Sequence, residues 1–399
     1  MVVLLTAPSP FRGWRKTAAQ GARTGRYTRD RSAVPHGRPA VVVTKPEVTI
    51  QRHMDDVRIG IIGSGFMGRT NAETARHHLR SARLAAVAGG THAPQLAAEY
   101  GVEYEASVSS LLARADIDAV FISTPHSMHA AQAVEAAQCG KHILLDKPMA
   151  TTVEDCDRIL DATRTAQVNL MIMFAQRFRV CNREAFRLIR EGAIGRILMV
   201  QELILNSGGM ESLPAWQSLP ENSGTLLAHA VHNIDRIRWL TGEEILTVSA
   251  QVQRDVVSRN EVSAMALFGM SGGIMASLWE SWAIPEPGFP QTASAARIVG
   301  EHGILELDAY GQLRLGQEGK WRVVAEQPPI DWKGKGMLDP TRMEAYRLQD
   351  QEFVDSVREG RAPTVTGQDG RASVAVALAA YQSAEEVRTI KLKTTEVPD

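Results

Sequence analysis

The stretch Val57-Arg58-Ile59-Gly60-Ile61-Ile62-Gly63-Ser64-Gly65-Phe66-Met67-Gly68 decides the fold. It reads as a short apolar strand, then G-x-G-x-x-G, then a helical pattern from Phe66. Each glycine has a physical job: Gly63 makes the tight turn off the strand, Gly65 lets the backbone approach a pyrophosphate, and Gly68 lets the new helix pack close to the strand. The helix N-terminus then offers free N–H groups and a partial positive charge to phosphates. A lone G-x-G-x-x-G is a weak signal. The strand before it and the helix after it make this one a dinucleotide-binding turn rather than a plain βα turn.

Beyond that turn the chain alternates. Short, near-continuous apolar runs at 84–88, 119–122, 142–145 and 169–173 are separated by helical patterns at 66–79, 93–100, 108–113, 126–138 and 153–166. Such runs suit strands buried on both faces, and such alternation predicts a doubly wound parallel sheet. After 174 the rhythm changes. A helix at 182–190, a strand at 197–205, a polar loop at 206–223 and a long helix at 226–240 are followed by six strand-like runs between 245 and 315. Runs of strands without helices between them predict a mostly antiparallel sheet. Helices at 343–359 and 372–387 close the chain. The expected class is α/β: an N-terminal Rossmann doubly wound parallel sheet (55–177), then a C-terminal α+β domain with a large, mostly antiparallel open sheet (178–399).

At 399 residues the chain is too long for one compact core and suits two domains plus extras. Cys139, Cys156 and Cys181 are odd in number and lack CxxC spacing, which predicts no disulfide framework, no metal cluster and a cytoplasmic protein. No apolar run reaches the roughly 18 residues of a membrane helix. Residues 1–54 hold ten Lys or Arg against Asp30 and Glu47, so this segment carries +8; with a whole-chain charge of −1 the remainder carries −9. A basic segment without hydrophobic period is expected to be a disordered extension. Met54, three residues before the first strand, is the simplest start. A targeting peptide is the remaining alternative, and nucleic acid is not an expected partner.

The second constellation is Gly140-Lys141-His142-Ile143-Leu144-Leu145-Asp146-Lys147-Pro148, a strand running out into Asp-Lys-Pro. In an open α/β sheet ligands bind at that carboxyl edge. A lysine there can donate to a substrate oxygen and help move its proton. The glycine turn, Ser123-Thr124-Pro125-His126-Ser127-Met128-His129, the Asp-Lys-Pro strand, Gln176-Arg177-Phe178, and His232-Asn233-Ile234-Asp235 before Trp239-Leu240-Thr241-Gly242 occur in this order. The series resembles the Gfo/Idh/MocA oxidoreductase family, named for glucose–fructose oxidoreductase and inositol dehydrogenase, over about residues 56–394. The resemblance implies NAD or NADP as cofactor, a sugar, inositol or related cyclic alcohol as substrate, and a homodimer or homotetramer joined through the open sheet. Matched residue by residue, it places Gly63, Ser64, Gly65, Phe66, Met67 and Gly68 on the phosphate turn. Thr124, Pro125 and His129 fall on the loop over the cofactor, Asp146, Lys147 and Pro148 on the family's Glu-Lys-Pro with Lys147 as its catalytic lysine, and His232 on the active-site histidine.

Three departures from that pattern matter. Asp146 replaces Glu and is one methylene shorter. Ala228 stands where the family often has an Asp four residues before the active-site histidine. His229, beside it, stays open between a catalytic substitute and a structural histidine; a His-x-x-His metal pair lacks a third ligand, so no metal is expected. The second strand ends Val87-Ala88-Gly89-Gly90-Thr91-His92 with no acid for an adenosine ribose 2′-hydroxyl. That favours NADP, with Thr91, His92 and Arg69 as candidate contacts. Arg177 and His232 are the candidate substrate contacts, with a surface acid as the alternative partner of Arg177. Met210, Trp216, Trp279 and Trp282 stay open between sugar stacking and core packing. A dehydrogenase is the leading expectation; an NAD-dependent glycosidase-like enzyme and a non-catalytic NAD(P) sensor are the alternatives.

Overall fold

The computed structural model describes residues 56–207, 214–219, 221–222, 224–255, 260–289 and 294–392. The expectations for residues 1–54, for Met210 and for much of the 206–223 loop lie outside the described residues.

The first sheet is parallel and six-stranded. It comprises β1 (Val57–Ile62), β2 (Ala82–Ala88), β3 (Glu103–Glu105), β4 (Ala119–Ile122), β5 (His142–Leu145) and β6 (Leu170–Ile172), in the order β3-β2-β1-β4-β5-β6. Val57, Ile59, Ile61, Ile62 and every residue of β4 are buried, as the apolar runs require. Helices α1 (Phe66–Glu73), α2 (Ala93–Tyr100), α3 (Val108–Leu112), α4 (His129–Gln138) and α5 (Val153–Ala166) are the connections. The strand order reverses between β1 and β4, which opens the crevice where such sheets bind ligands. The sequence reading missed β3, a three-residue edge strand with two glutamates and no apolar run.

The second part starts with α6 (Val180–Arg190) and β7 (Ile197–Ser207). A π-helical turn, Leu226–Ala230, leads into α7 (Val231–Thr241). Strands β8 (Ile245–Arg254), β9 (Glu261–Met270), β10 (Met275–Ile284), β11 (Ser294–Gly300), β12 (Ile304–Asp308), β13 (Gln312–Gln317) and β14 (Lys320–Glu326) follow. Then come α8 (Pro340–Glu359), α9 (Gly367–Glu386) and β15 (Ile390–Lys391). The nine-stranded sheet runs β14-β13-β12-β11-β7-β10-β9-β8-β15, antiparallel except where β7 lies parallel to β10. The sequence reading missed β14 and β15. It also drew 226–240 as one regular helix, whereas the first turn is π-wound.

The last two helices return to the first sheet. Phe353 of α8 is fully buried, its ring edge-on to Phe121 of β4 at 5.7 Å. Asp350 of α8 accepts a hydrogen bond from Thr74. Arg342 of α8 donates to Thr70 and to the Met337 carbonyl, its guanidinium lying 4.6 Å from the Phe66 ring centroid. Thr366, whose side chain caps α9, makes a β-bridge with Met171.

Candidate active site

The phosphate turn is built by crowding on both sides and space in the middle. Gly63 has φ +112°, and a Cβ there would lie 2.2 Å from the Ser123 carbonyl oxygen. A Cβ on Gly68 would lie 2.1 Å from the Gly63 oxygen, so helix and turn touch through bare backbone. At Gly65 nothing lies within 4 Å of an added Cβ. That open space faces the N-terminus of α1, which has no acid in its first turn. The donor set, the cradle and the helix end all fit a pyrophosphate. Phe66 is exposed, and Met67 is half-buried behind it.

The tip of β2 folds against this turn, with the His92 N–H donating to Ser64 Oγ at 3.1 Å. Thr91 and His92 are exposed there. Arg69 is drawn instead to Glu99, with which it forms an ion pair, so the expected third contact to a 2′-phosphate is already engaged.

His129 ties two loops together. Its Nδ1 lies 2.8 Å from the Pro148 carbonyl oxygen and its Nε2 2.9 Å from that of Thr124. A neutral ring donates to one of the two. The Thr124 hydroxyl donates to Gln132, and Pro125 precedes a short 3₁₀ turn, His126–Met128. The loop after β4 and the Asp-Lys-Pro edge after β5 are thereby held as one rim.

Lys147 projects from that rim. Its Nζ donates to the Ala228 carbonyl at 2.7 Å. Position 228 thus meets the lysine through its backbone, in the π-wound turn. Burial pushes the Lys147 pKa down, against the pull of Asp146 and Glu280. Burial likewise pushes the Asp146 carboxyl up, although its Oδ1 accepts the Lys147 N–H at 2.8 Å. Glu280 is only 1% exposed; burial and then the neighbouring Glu261 hold its pKa well above the ordinary carboxylate value, against the pull of Thr225 and Lys147.

His229 and His232 line one cavity of about 200 Å³. The His229 ring stacks on Trp282 at 4.4 Å, and His232 meets Phe174 edge-on at 5.8 Å. Neither Nδ1 has a partner. Burial, then the charge of Lys147, holds both pKa values well below the usual histidine value, so both rings are neutral near pH 7.

Arg177 does not line this cavity. Its guanidinium donates to Asp235 at 2.8 and 2.5 Å and lies 3.1 Å from Asp369. Arg179, two residues on, lines the cavity instead, together with Tyr310 and Tyr346. Sequence reasoning missed all three. The 3₁₀ turn Ala175–Phe178 followed by an extended Arg179 separates the two arginines, and no periodic pattern marks such a turn. Of the tryptophans, Trp282 lines the cavity, Trp216 packs edge-on to His126, and Trp279 lies on the outer face of the second sheet. The described residues contain no cluster able to hold a metal ion, and the three cysteines are unbridged.

A phosphate-binding turn at a sheet switch point, a lysine at the neighbouring strand edge and neutral histidines over one small cavity define a dinucleotide-dependent oxidoreductase. Residues 57–174 match the oxidoreductase family, NAD-binding Rossmann fold, and residues 187–392 match the oxidoreductase family, C-terminal alpha/beta domain, both of Gfo/Idh/MocA type. The chain belongs to the Gfo/Idh/MocA oxidoreductase family, and is an NAD(P)-dependent dehydrogenase acting on CH–OH groups. It is similar to inositol 2-dehydrogenase 2 of Saccharopolyspora erythraea, with 29% identity over 350 residues covering 86% of this chain and 97% of that protein. It is also similar to 2,7-anhydro-N-acetylneuraminate hydratase of Mediterraneibacter gnavus, at 25% identity over 85% of this chain and 97% of that protein. The crystal structure of aldose-aldose oxidoreductase from Caulobacter crescentus complexed with glycerol superimposes with a TM-score of 0.73 at 26% identity, covering 84% of this chain and all of that one.

Proposed function

We propose that this protein transfers a hydride between the nicotinamide of NAD(P) and a carbon of a sugar, inositol or related cyclic alcohol bound in the His229–His232 cavity. The cofactor supplies the hydride acceptor or donor. The protein's own residues bind the alcohol, orient it and handle its hydroxyl proton. The observation that carries this reading is a pair of neutral histidines on one cavity of about 200 Å³, with Lys147 Nζ held 2.7 Å from the Ala228 carbonyl, in the same π-wound turn as His229. A lysine with a lowered pKa gives up its proton more easily than a free one, and a neutral imidazole accepts one. Lys147 or His232 takes the hydroxyl proton as the carbonyl forms. Residues 55–177 hold the cofactor, through Gly63–Gly68 and the rim of Thr124, Pro125, Asp146 and Lys147. Residues 178–399 supply the substrate wall and the oligomer contact. The tip of β2, without an acid, favours NADP over NAD; titrating both cofactors by fluorescence reads the preference, and a tenfold preference for NAD would reverse it.

The inositol dehydrogenase and the aldose-aldose oxidoreductase support a polyol or sugar substrate. A glycosidase-like enzyme, in which oxidation is transient and a C–O bond is cleaved, is a second outcome of the same architecture, and similarity to a protein named a hydratase keeps a reaction other than net oxidation in view. A screen of sugars, inositols and cyclic diols, followed by the absorbance of reduced nicotinamide, separates them. Net reduction of the cofactor supports the dehydrogenase. Product formation with no net reduction supports the cleaving enzyme, and cofactor binding without turnover of any member leaves a sensor. The lysine and histidines belong to a cytoplasmic homo-oligomer in this proposal. Its interface is the outer face of the second sheet, where Met265, Leu267 and Met275 are more than half exposed.

A further inference from the structure

The fold handles its buried arginines in a consistent way, with one exception. Arg177 is paired with Asp235 and Asp369, and Arg236 with Glu202. Arg342 donates to the oxygens of Thr70 and Met337. Arg179 is only 3% exposed, yet its Nε and Nη1 have no hydrogen-bond partner, and no carboxylate among the described residues forms an ion pair with it. Its guanidinium lies 4.0 Å from the Tyr310 ring centroid, at the wall of the 200 Å³ cavity. An aromatic face offsets part of the cost of burying a cation. It does not replace the hydrogen-bond acceptors that a buried guanidinium needs, which an anion supplies best.

The rest of the cavity wall agrees. Among the described residues no Asp or Glu lines it. Trp282 Nε1, which can only donate, and Ser294 Oγ are both buried there without partners. The Tyr310 phenol feels the Arg179 charge. Burial alone would raise its pKa, but Arg179, the hydrogen bond from Gln176, and Arg236 and Arg342 together draw it below the ordinary value. A neutral polyol brings hydroxyls that need acceptors and leaves Arg179 unpaired. A carboxylate supplies the acceptor oxygens that Arg179 lacks.

We propose that the substrate of this cavity is a hydroxy acid of sugar size, a polyhydroxy alcohol bearing one carboxylate, and that Arg179 is the residue that pairs with that carboxylate. The inference rests on the cavity being the substrate site proposed above. One unpaired guanidinium matches the charge and planar fork geometry of one carboxylate; a phosphate dianion asks for more cations than the wall supplies. The carboxylate takes no part in the chemistry. It fixes which hydroxyl carbon lies toward Lys147 and His232.

The test uses the full chain saturated with NAD(P) and matched ligand pairs: D-galacturonate with D-galactose, D-glucuronate with D-glucose, and D-gluconate with D-sorbitol. Myo-inositol and glucose 6-phosphate are added as single probes. Binding is read by calorimetry, independently of turnover. The expected result is an acid that binds at least about tenfold (1.4 kcal/mol) more tightly than its neutral partner in one or more pairs. Arg179→Gln should erase that advantage, and Arg179→Lys should keep part of it. Neither variant should change cofactor affinity or lower the melting temperature of the ligand-free protein, because an uncompensated charge is being removed or kept. Equal binding within every pair, an acid preference that survives Arg179→Gln, or tighter binding of the phosphate than of any carboxylate would overturn the proposal. So would a fall of several degrees in the melting temperature of both variants, which marks a structural arginine. An acid that binds through Arg179 but is never oxidised breaks the proposed function and leaves the anion site standing. Oxidation of neutral polyols alone does the reverse.

Discussion

At the scale of single residues, the three glycines of the phosphate turn are predicted to differ sharply. Gly63→Ala puts a methyl into the Ser123 carbonyl at a positive φ, so the turn itself must move. It should lower the melting temperature by several degrees and abolish cofactor binding. Gly65→Ala meets nothing in the protein and has φ −81°. It should melt within about a degree of the parent and still lose at least tenfold in cofactor affinity, because the methyl occupies phosphate space. Equal losses of stability in the two variants would remove the pyrophosphate from this argument. For catalysis, Lys147→Ala is expected to cost about 10²–10⁴ in kcat with cofactor affinity within a few-fold. His232→Ala should cost a comparable factor. His229→Ala discriminates. A loss under about threefold makes its stack on Trp282 purely structural; a loss equal to that of His232→Ala makes the two histidines one relay.

At the scale of elements, the most consequential junction joins α8 to the end of α1. Asp350 is buried there, accepting from Thr74 and, at 3.0 Å, from Gln349. Burial raises its pKa to about 7, with those two hydrogen bonds pulling the other way. An acid whose pKa is raised on folding contributes stability that is complete below its unfolded value, near 4, and is lost as pH rises through about 7. The swing is roughly 4 kcal/mol for a shift of this size. Asp350→Asn should therefore flatten the urea midpoint between about pH 5 and pH 8 and raise it at the upper end. An unchanged pH dependence would show that Asp350 is ionised throughout. This junction was not legible in the sequence, since it depends on residues 276 positions apart. What was legible followed from local pattern. The apolar runs gave five of the six parallel strands, and the glycine turn gave the cofactor cradle. Lys147 and His232 were named through the family resemblance, since the strand edge alone reads as a surface ion pair, and their roles stand as proposals. Arg177 stayed open between substrate and an acid because a guanidinium reads the same either way, and the structure pairs it with Asp235. Arg179 went unnoticed because an unpaired charge is visible only once its neighbours are known. The π winding of Leu226–Ala230, which turns the Ala228 carbonyl to Lys147, carries no compositional mark.

At the scale of the molecule, the second sheet has one covered face and one bare face. Across β9 and β10, Leu267 and Trp279 sit opposite Ser277 and Met265, and a concavity of about 520 Å³ lies along the strands beside them. A patch of this composition marks an interaction surface. Met265→Lys with Leu267→Glu should convert the assembly to monomers in light scattering while leaving the melting curve cooperative; a parent that is already monomeric at micromolar concentration would end the oligomer proposal. The return of α8 and α9 to the first sheet has a consequence for biosynthesis. Phe121 emerges from the ribosome more than two hundred residues before Phe353, the ring that closes over it. The cofactor half is therefore translated early but sealed late, and its strands must wait, open on one side, for nearly the whole chain to be made. A fragment ending at 177 should show this directly: it should bind a hydrophobic dye, resist no protease, and fail to retain NAD(P), where the full chain does all three the other way.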